Sequence, residues 1–199
     1  DSTLAGNEAL VDGGGIYALG SPGVVTNIYN STIAYNDADM DRDGAGSGGG
    51  VHLGAGSSGS GSFAIRNTLI TGNTVGNTPI YDDCFVESGS VLYSYGRNLL
   101  GTSDGCVIAN VSGAGWDYFS GNLGGLADNG GPTQTVALLA GDNAIDGADP
   151  TFGCVDDQDS TITSDQRGFP GKGSSHCGIG AYDVDPEPIV SQGFDGLPR

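Results

Sequence analysis

The stretch Ser31-Thr32-Ile33-Ala34-Tyr35-Asn36 decides the fold. It is anticipated by Ser2-Thr3-Leu4-Ala5-Gly6-Asn7 and repeated by Thr68-Leu69-Ile70-Thr71-Gly72-Asn73, at offsets of 29 and 37 residues. A second phrase interleaves with it: Gly13-Gly14-Gly15-Ile16-Tyr17 returns as Gly48-Gly49-Gly50-Val51-His52, 35 residues later. Each phrase is a short β-forming run with apolar residues (Leu4, Ile33, Leu69, Ile16, Val51). Each is bounded by Gly or Asn, which tolerate left-handed backbone at corners. Two phrases alternating in this way predict stacked rungs, each strand lying on its equivalent from the preceding turn of chain.

In such a stack Asn7, Asn36 and Asn73 fall on one line. A ladder of their amides would satisfy corner backbone groups otherwise buried unpaired. The period is irregular because eleven residues, Asp37 to Ser47, separate Asn36 from Gly48, against five between Asn7 and Gly13. The extra residues predict a loop projecting from the coil.

Composition agrees with an all-β chain. Of 199 residues 38 are Gly, which argues against a helix-rich domain, and the length suits one domain. Six Lys and Arg against 24 Asp and Glu give a net charge of −18. That balance argues against nucleic acid or an anionic membrane face as partner and favours cations. No run of 18 apolar residues exists, and Asp1-Ser2-Thr3 has neither a basic start nor an apolar signal core. The sequence therefore predicts a soluble chain whose export signal was removed or lies outside it.

Cys84, Cys106, Cys154 and Cys177 form no C-x-x-C pair and have no His at zinc-site spacing. Four cysteines allow three connectivities. The sequential one, Cys84 with Cys106 and Cys154 with Cys177, closes two local loops and is preferred, implying an oxidising compartment.

The phrases resemble those of the right-handed parallel β-helix proteins of bacterial surfaces. The second half is similar to the choice-of-anchor Q domain, on Asn122-Leu123-Gly124-Gly125-Leu126-Ala127-Asp128-Asn129-Gly130-Gly131-Pro132-Thr133, Ala137-Leu138-Leu139-Ala140-Gly141, Ala144-Ile145-Asp146, Ser164-Asp165-Gln166-Arg167-Gly168 and Cys177-Gly178-Ile179-Gly180-Ala181-Tyr182. The chain departs from that pattern at Gly178 and at Tyr182-Asp183. The resemblance implies a secreted or surface-displayed, non-catalytic β-helix whose closing segment precedes an anchoring or sorting region.

Asp39-Met40-Asp41-Arg42-Asp43-Gly44 matches D-x-D-x-D-G, the first half of an EF-hand loop, in which alternate carboxylates converge on one calcium ion. The twelfth-position Glu is absent, since counting from Asp39 reaches Gly50. Asp37, a carbonyl or water would have to complete the shell; the alternative is a solvated acidic loop. Asp156-Asp157-Gln158-Asp159 lacks the alternating spacing and reads as a hydrated turn. No G-K-[ST] follows the Gly-rich stretches, and the repeat-in-toxin pattern fails because Gly48-Gly49-Gly50-Val51-His52 has no Asp in register.

His52 takes the place of Tyr17 and reads as a rung side chain; His176 reads as a loop residue. Arg167 reads as a partner for Asp146 or Asp165 that fixes the C-terminal segment. A polysaccharide lyase or hydrolase would need facing carboxylates and a basic residue, for which Arg42, Arg66, Arg97, Arg167 and Lys172 are available, Arg66 being placed to face a groove. Asn30-Ser31-Thr32 and Asn110-Val111-Ser112 fit the glycosylation pattern.

The sequence thus predicts an all-β, right-handed parallel β-helix over residues 1–110, a disulfide-tied capping segment of the same domain over 111–185, and an extended tail over 186–199. Core candidates are Leu4, Ile16, Val25, Ile28, Ile33, Val51, Phe63, Ile65, Leu69, Leu99, Leu126, Leu138, Leu139 and Ile145. The open first coil and the tail are the expected sites of self-association or of contact with other surface proteins, by head-to-tail stacking or strand donation; a linker is the alternative for the tail. The expected function is a secreted or cell-surface structural, adhesin-like protein or filament subunit, with calcium in the acidic loop (Asp37, Asp39, Asp41, Asp43) and no catalytic residues. The alternative is a carbohydrate-binding or carbohydrate-active β-helix. An aromatic-lined groove with facing carboxylates would favour the alternative; open strand edges would favour the structural reading.

Overall fold

The computed structural model describes residues 1–21, 23–56, 62–78, 80–170 and 177–184. The tail (186–199), Lys172 and His176 lie outside the described residues. Among the described residues there is no helix, hence none long and apolar enough to cross a membrane.

Fourteen strands follow one another: β1 (Thr3–Ala5), β2 (Ile16–Leu19), β3 (Val25–Tyr29), β4 (Thr32–Ala34), β5 (Asp37–Ala38), β6 (Val51–Gly54), β7 (Ser62–Arg66), β8 (Leu69–Thr71), β9 (Thr74–Val75), β10 (Cys84–Val86), β11 (Val91–Leu100), β12 (Ile108–Tyr118), β13 (Leu123–Ala127) and β14 (Thr135–Leu138). All pair in parallel except β13 with β14. The repeated phrases lie in register: Leu4 beside Ile33 and Ile33 beside Ile70, then Ile16 beside Val51 and Val51 beside Cys84. The largest sheet, β1-β4-β8-β11-β7-β3, is curled: the first half of β11 pairs with β7 and the second half with β8. Strand β12 lies on β11, and β2-β6-β10 forms a second sheet. Glu8 bridges Asp37 in parallel, and β5 pairs with β9.

Inward positions follow the two-residue strand period. Ile33, Ile70 and Leu100 meet Val51, Leu53, Phe63, Ile65, Val86 and Leu92 in one cluster, with Leu4, Ile16 and Ile28 partly buried against it. Full burial of each large aliphatic side chain stabilises the fold by roughly 1.5–3 kcal/mol. The glycine triplets place the second sheet close to the Asn column. Gly13 and Gly48 turn the corner at φ 68° and 67°. A Cβ on Gly14 or Gly15 would meet the Gly49 or Gly50 carbonyl oxygen at 2.6 Å, so only bare backbone fits.

The described residues of 119–170 and 177–184 lie alongside the parallel strands as a second layer. Leu69 and Leu99, the outward neighbours of Ile70 and Leu100, pack there with Leu138, Ala144, Ala148, Ile179 and the Cys154–Cys177 disulfide. Strands β4 and β8 are consequently buried on both faces. Polar contacts fasten the layer: Ala181 N donates to Thr32 Oγ1 (3.0 Å), Gly180 N to Asn67 O (2.9 Å), and Thr3 Oγ1 to Gln166 Oε1 (2.7 Å). Arg167 binds Asp165 rather than Asp146, with Nε 2.7 Å from Oδ2, and its guanidinium lies 3.8 Å from the Tyr182 ring centroid.

Three core candidates are exposed. Val25 has outward parity on β3, where Thr26 and Ile28 pair with the buried Phe63 and Ile65. Leu126 lies beyond a register shift in the β13–β14 hairpin, and Leu139 follows the end of β14.

Candidate functional site

The acidic loop begins at β5. Asp39 (φ 56°) and Arg42 (φ 58°) take left-handed backbone, which folds the loop back on itself. Asp39, Asp41 and Asp43 offer carboxylate oxygens all within 4.8 Å of one another; Asp39 is buried and the other two are exposed. Asp39 also accepts from Gly44 N (3.1 Å), and Asp43 from Ala45 N (2.9 Å). Asp37 stands apart from this cluster: its carboxylate accepts from Thr74 Oγ1 (2.7 Å) and Asn77 N (2.8 Å). The three convergent carboxylates are hard oxygen donors, the set that divalent cations of the calcium type take.

The predicted asparagine column is present. Asn36 Oδ1 accepts from Asn7 N (3.0 Å) and Nδ2 (2.8 Å), and Asn73 Oδ1 accepts from Asn36 N (3.0 Å) and Nδ2 (2.9 Å). The remaining amide hydrogens go to Leu4 O and Ile33 O, both at 3.0 Å. Two features escaped the sequence reading. The column ends on the fully buried Asp83, and burial pushes its carboxyl up to about 6 against the hydrogen bonds it accepts. A second corner carries Asn30 and Asn67, both left-handed and fully buried, whose amides reach Val155 O (2.9 Å) and Gly153 O (2.7 Å). The signal available for that corner was the Asn preceding each first phrase, at Asn30 and Asn67. Its burial also withdraws Asn30 of the Asn30-Ser31-Thr32 pattern from solvent, whereas Asn110 is exposed.

His52 sits in register between Tyr17 and Phe85, with ring centroids 5.1 and 5.3 Å away. Its Nδ1 lies 3.1 Å from Ser47 Oγ and 3.3 Å from Asp12 Oδ1, and its Nε2 lies 3.2 Å from Glu87 Oε1. Ser47 and Asp12 thus share Nδ1, and Ser47 Oγ also lies 3.1 Å from Asp12 Oδ1, while Glu87 faces Nε2. The Ala55 N–H and His52 hold the Glu87 carboxyl below its ordinary value, while burial pushes that of Asp82 up.

Arg66 is enclosed by Tyr29 and Phe152, its guanidinium 5.2 and 5.8 Å from their centroids, and pairs with Asp159 at 2.6 Å. Asp156 closes the same turn by accepting from Gln158 N and Ser160 N. Both disulfides join the sequential pairs, Cys84–Cys106 and Cys154–Cys177.

A groove of about 320 Å³ opens between the coil corner and the second layer. Tyr35, Tyr81 and Phe119 wall it, with Thr71, Asp83, Asn122, Leu123 and three glycines between them. Two carboxylates lie at or beside it, Asp83 and Asp142, both structurally engaged. Asp83 Oδ2 accepts from Thr102 N (2.8 Å); Asp142 accepts from Asn122 N (2.7 Å) and Leu139 N (2.6 Å).

No family model, curated protein or solved structure matches the chain.

Proposed function

We propose that the chain is a right-handed parallel β-helix module of a secreted or cell-surface protein, structural and adhesin-like, with no catalytic role of its own. Support for the helix comes from four successive passes of chain in parallel register, since parallel strands joined by crossovers wind right-handed. Support for an extracellular setting comes from the two disulfides and the charge of −18. The likeness of residues 122–133 and 164–168 to the choice-of-anchor Q domain belongs to the same reading.

The observation that carries the proposal is the first pass of chain. Strands β1 and β2 each have a neighbour on one side only, and β3 pairs only with β7. Leu10 (68%), Leu19 (63%) and Val24 (56%) are exposed there, while His52, which covers Tyr17, is 2% exposed. A cleft of about 270 Å³ lined by Leu4, Ile16 and Ile28 opens on the same end. Asn7 donates into the column and leaves its own Oδ1 outermost. Such an end accepts another coil by strand addition, from preceding chain or from a second molecule, and a heterologous contact of the second kind grows head to tail.

Within this reading Asp39, Asp41 and Asp43 hold calcium, with Asp37 bracing the loop through Thr74 and Asn77 rather than ligating. Calcium would also offset the mutual repulsion of acidic subunits. Electron microscopy and light scattering of the purified chain, with calcium and with chelator, test the assembly. Linear particles or a concentration-dependent mass are expected; a monomer at every concentration in both conditions counts against stacking.

A further inference from the structure

We propose that the groove walled by Tyr35, Tyr81 and Phe119 is a binding site for a neutral glycan. It is independent of stacking, since it opens at the side of the coils and not at their first pass.

Three observations on the groove point to a sugar. The first is aromatic surface held toward solvent in a concavity: Tyr81 is 62% and Tyr35 42% exposed, and Phe119 lines the same groove. Aromatic faces of this kind receive the C–H face of a pyranose ring by apolar contact. The second is the polar groups between the rings. Among the described residues the Thr71 hydroxyl, the Tyr81 hydroxyl and the Asn122 side-chain amide make no hydrogen bond, although all three line the groove. Together they offer two hydroxyls, each able to donate or accept, and one amide. This set matches a ligand carrying several hydroxyls and is wasted on a purely apolar one.

The third is backbone strain. Tyr35 has φ 59° at the corner position that the repeat fills with Gly6 (φ 67°) and Gly72 (φ 71°). A side chain there costs of order 1 kcal/mol relative to glycine. The Tyr35 hydroxyl donates to Gly124 O (3.1 Å), so the ring is held across the groove mouth. Gly72 clears the space beneath it: a Cβ at residue 72 would stand 3.2 Å from the Tyr35 ring.

Charge selects the class of sugar. A chain of net charge −18, with Asp83 at the groove floor, repels uronates and other acidic glycans. The carboxylates already accept from Asn73, Thr102, Asn122 and Leu139, so the site binds its ligand without cleaving it.

The test is a titration of the 15N-labelled chain with cellohexaose, laminarihexaose, xylohexaose and mannohexaose, with hexagalacturonate and choline as charged probes. Saturable shifts at groove amides are expected with at least one neutral oligosaccharide, weakened about tenfold or more by Tyr81→Ala and by Tyr35→Gly. Tyr17→Ala, an exposed ring on the other sheet, should leave affinity unchanged. Among the described residues the Tyr81 hydroxyl makes no hydrogen bond, and Tyr35→Gly restores the residue the repeat uses elsewhere, so both variants should keep the wild-type circular dichroism. No saturable shift with any of the four neutral sugars overturns the proposal. So does binding retained within about twofold in both variants, or tighter binding of hexagalacturonate or choline.

Discussion

Asp83 stands where the column would need one more asparagine, its Oδ1 accepting from Asn73 N at 3.0 Å and from Asn73 Nδ2 at 2.8 Å. Asn36 and Asn73 receive their upstream neighbours in the same way. By the Leu99–Leu69 register, the next pass offers Ser103 at this point. A carboxylate from the loop before β10 fills the vacancy and gives a hydrogen-bonded, mutually polarised chain an anionic end.

The raised Asp83 carboxyl fixes the sign of one pH dependence. Its folded-state value of about 6 exceeds the ordinary 3.8, so between these values the folded chain holds the extra proton and stability falls as pH rises. The loss from pH 4 to pH 7 is of order 3 kcal/mol. The partly buried Asp82 shifts in the same direction. Glu87, held low, acts with the opposite sign: its contribution is present above its ordinary value and disappears as pH falls through its depressed one. Calorimetry across pH 4–7 should show a higher melting temperature on the acid side, flattened in Asp83→Asn; an equal slope in that variant would assign the effect elsewhere.

Position in the column sets the cost of losing an amide. Asn36→Ala strands partners on both sides and should cost about 3 kcal/mol, whereas Asn7→Ala, at the exposed end, should cost about 1. Urea midpoints of the two variants measure the difference, and equal losses would show that the column does not act as a connected unit.

Gly49→Ala should be far more harmful than Gly44→Ala. A Cβ at 49 collides with the Thr74 carbonyl, backbone that cannot step aside, while one at 44 meets nothing and bears only the penalty of φ 80°. Losses of about 3 and about 1 kcal/mol respectively are expected from denaturant titration.

Chelation should lower the melting temperature of the wild-type chain and leave Asp41→Asn/Asp43→Asn unmoved. Asp37→Asn should lower stability equally with calcium and with chelator, because Asp37 binds Thr74 and Asn77. A wild-type melting curve indifferent to calcium removes the cation from the loop.

Non-reducing peptide maps should return Cys84 with Cys106 and Cys154 with Cys177 only. Cys154→Ser/Cys177→Ser should cost about 3 kcal/mol and raise amide exchange chiefly over residues 149–170 and 177–184. A uniform rise across β1 to β12 would show that the second layer does not open as a unit.

The repeat made the parallel register and the asparagine column readable, since both rest on identical residues recurring at the spacing of one pass. Asp83 was hidden because it joins the column through space, from a loop outside either phrase. The second layer was hidden because residues 111–184 carry no repeat to index them. One local clue existed: Leu69-Ile70 and Leu99-Leu100 are apolar at adjacent positions, the mark of a strand covered on both faces, whereas β4, equally covered, carries Thr32 beside Ile33 and gave no such sign. Among the acidic residues, spacing identified Asp39, Asp41 and Asp43 as convergent but could not tell that Asp37, two positions earlier, turns toward the neighbouring pass.

The bond from Thr3 to Gln166 and those from Asn30 and Asn67 to Val155 and Gly153 bear on how the chain comes into being. A polypeptide emerging N-terminus first has β1 to β9 in hand while the groups that complete their corners are still unmade. The side-chain amides of Asn30 and Asn67 can meet each other early, but their bonds to Val155 O and Gly153 O wait on residues 125 and 86 positions further along. Consolidation of the early coils therefore waits on the late segment, and a chain cut short before it should remain open to proteases along its whole length.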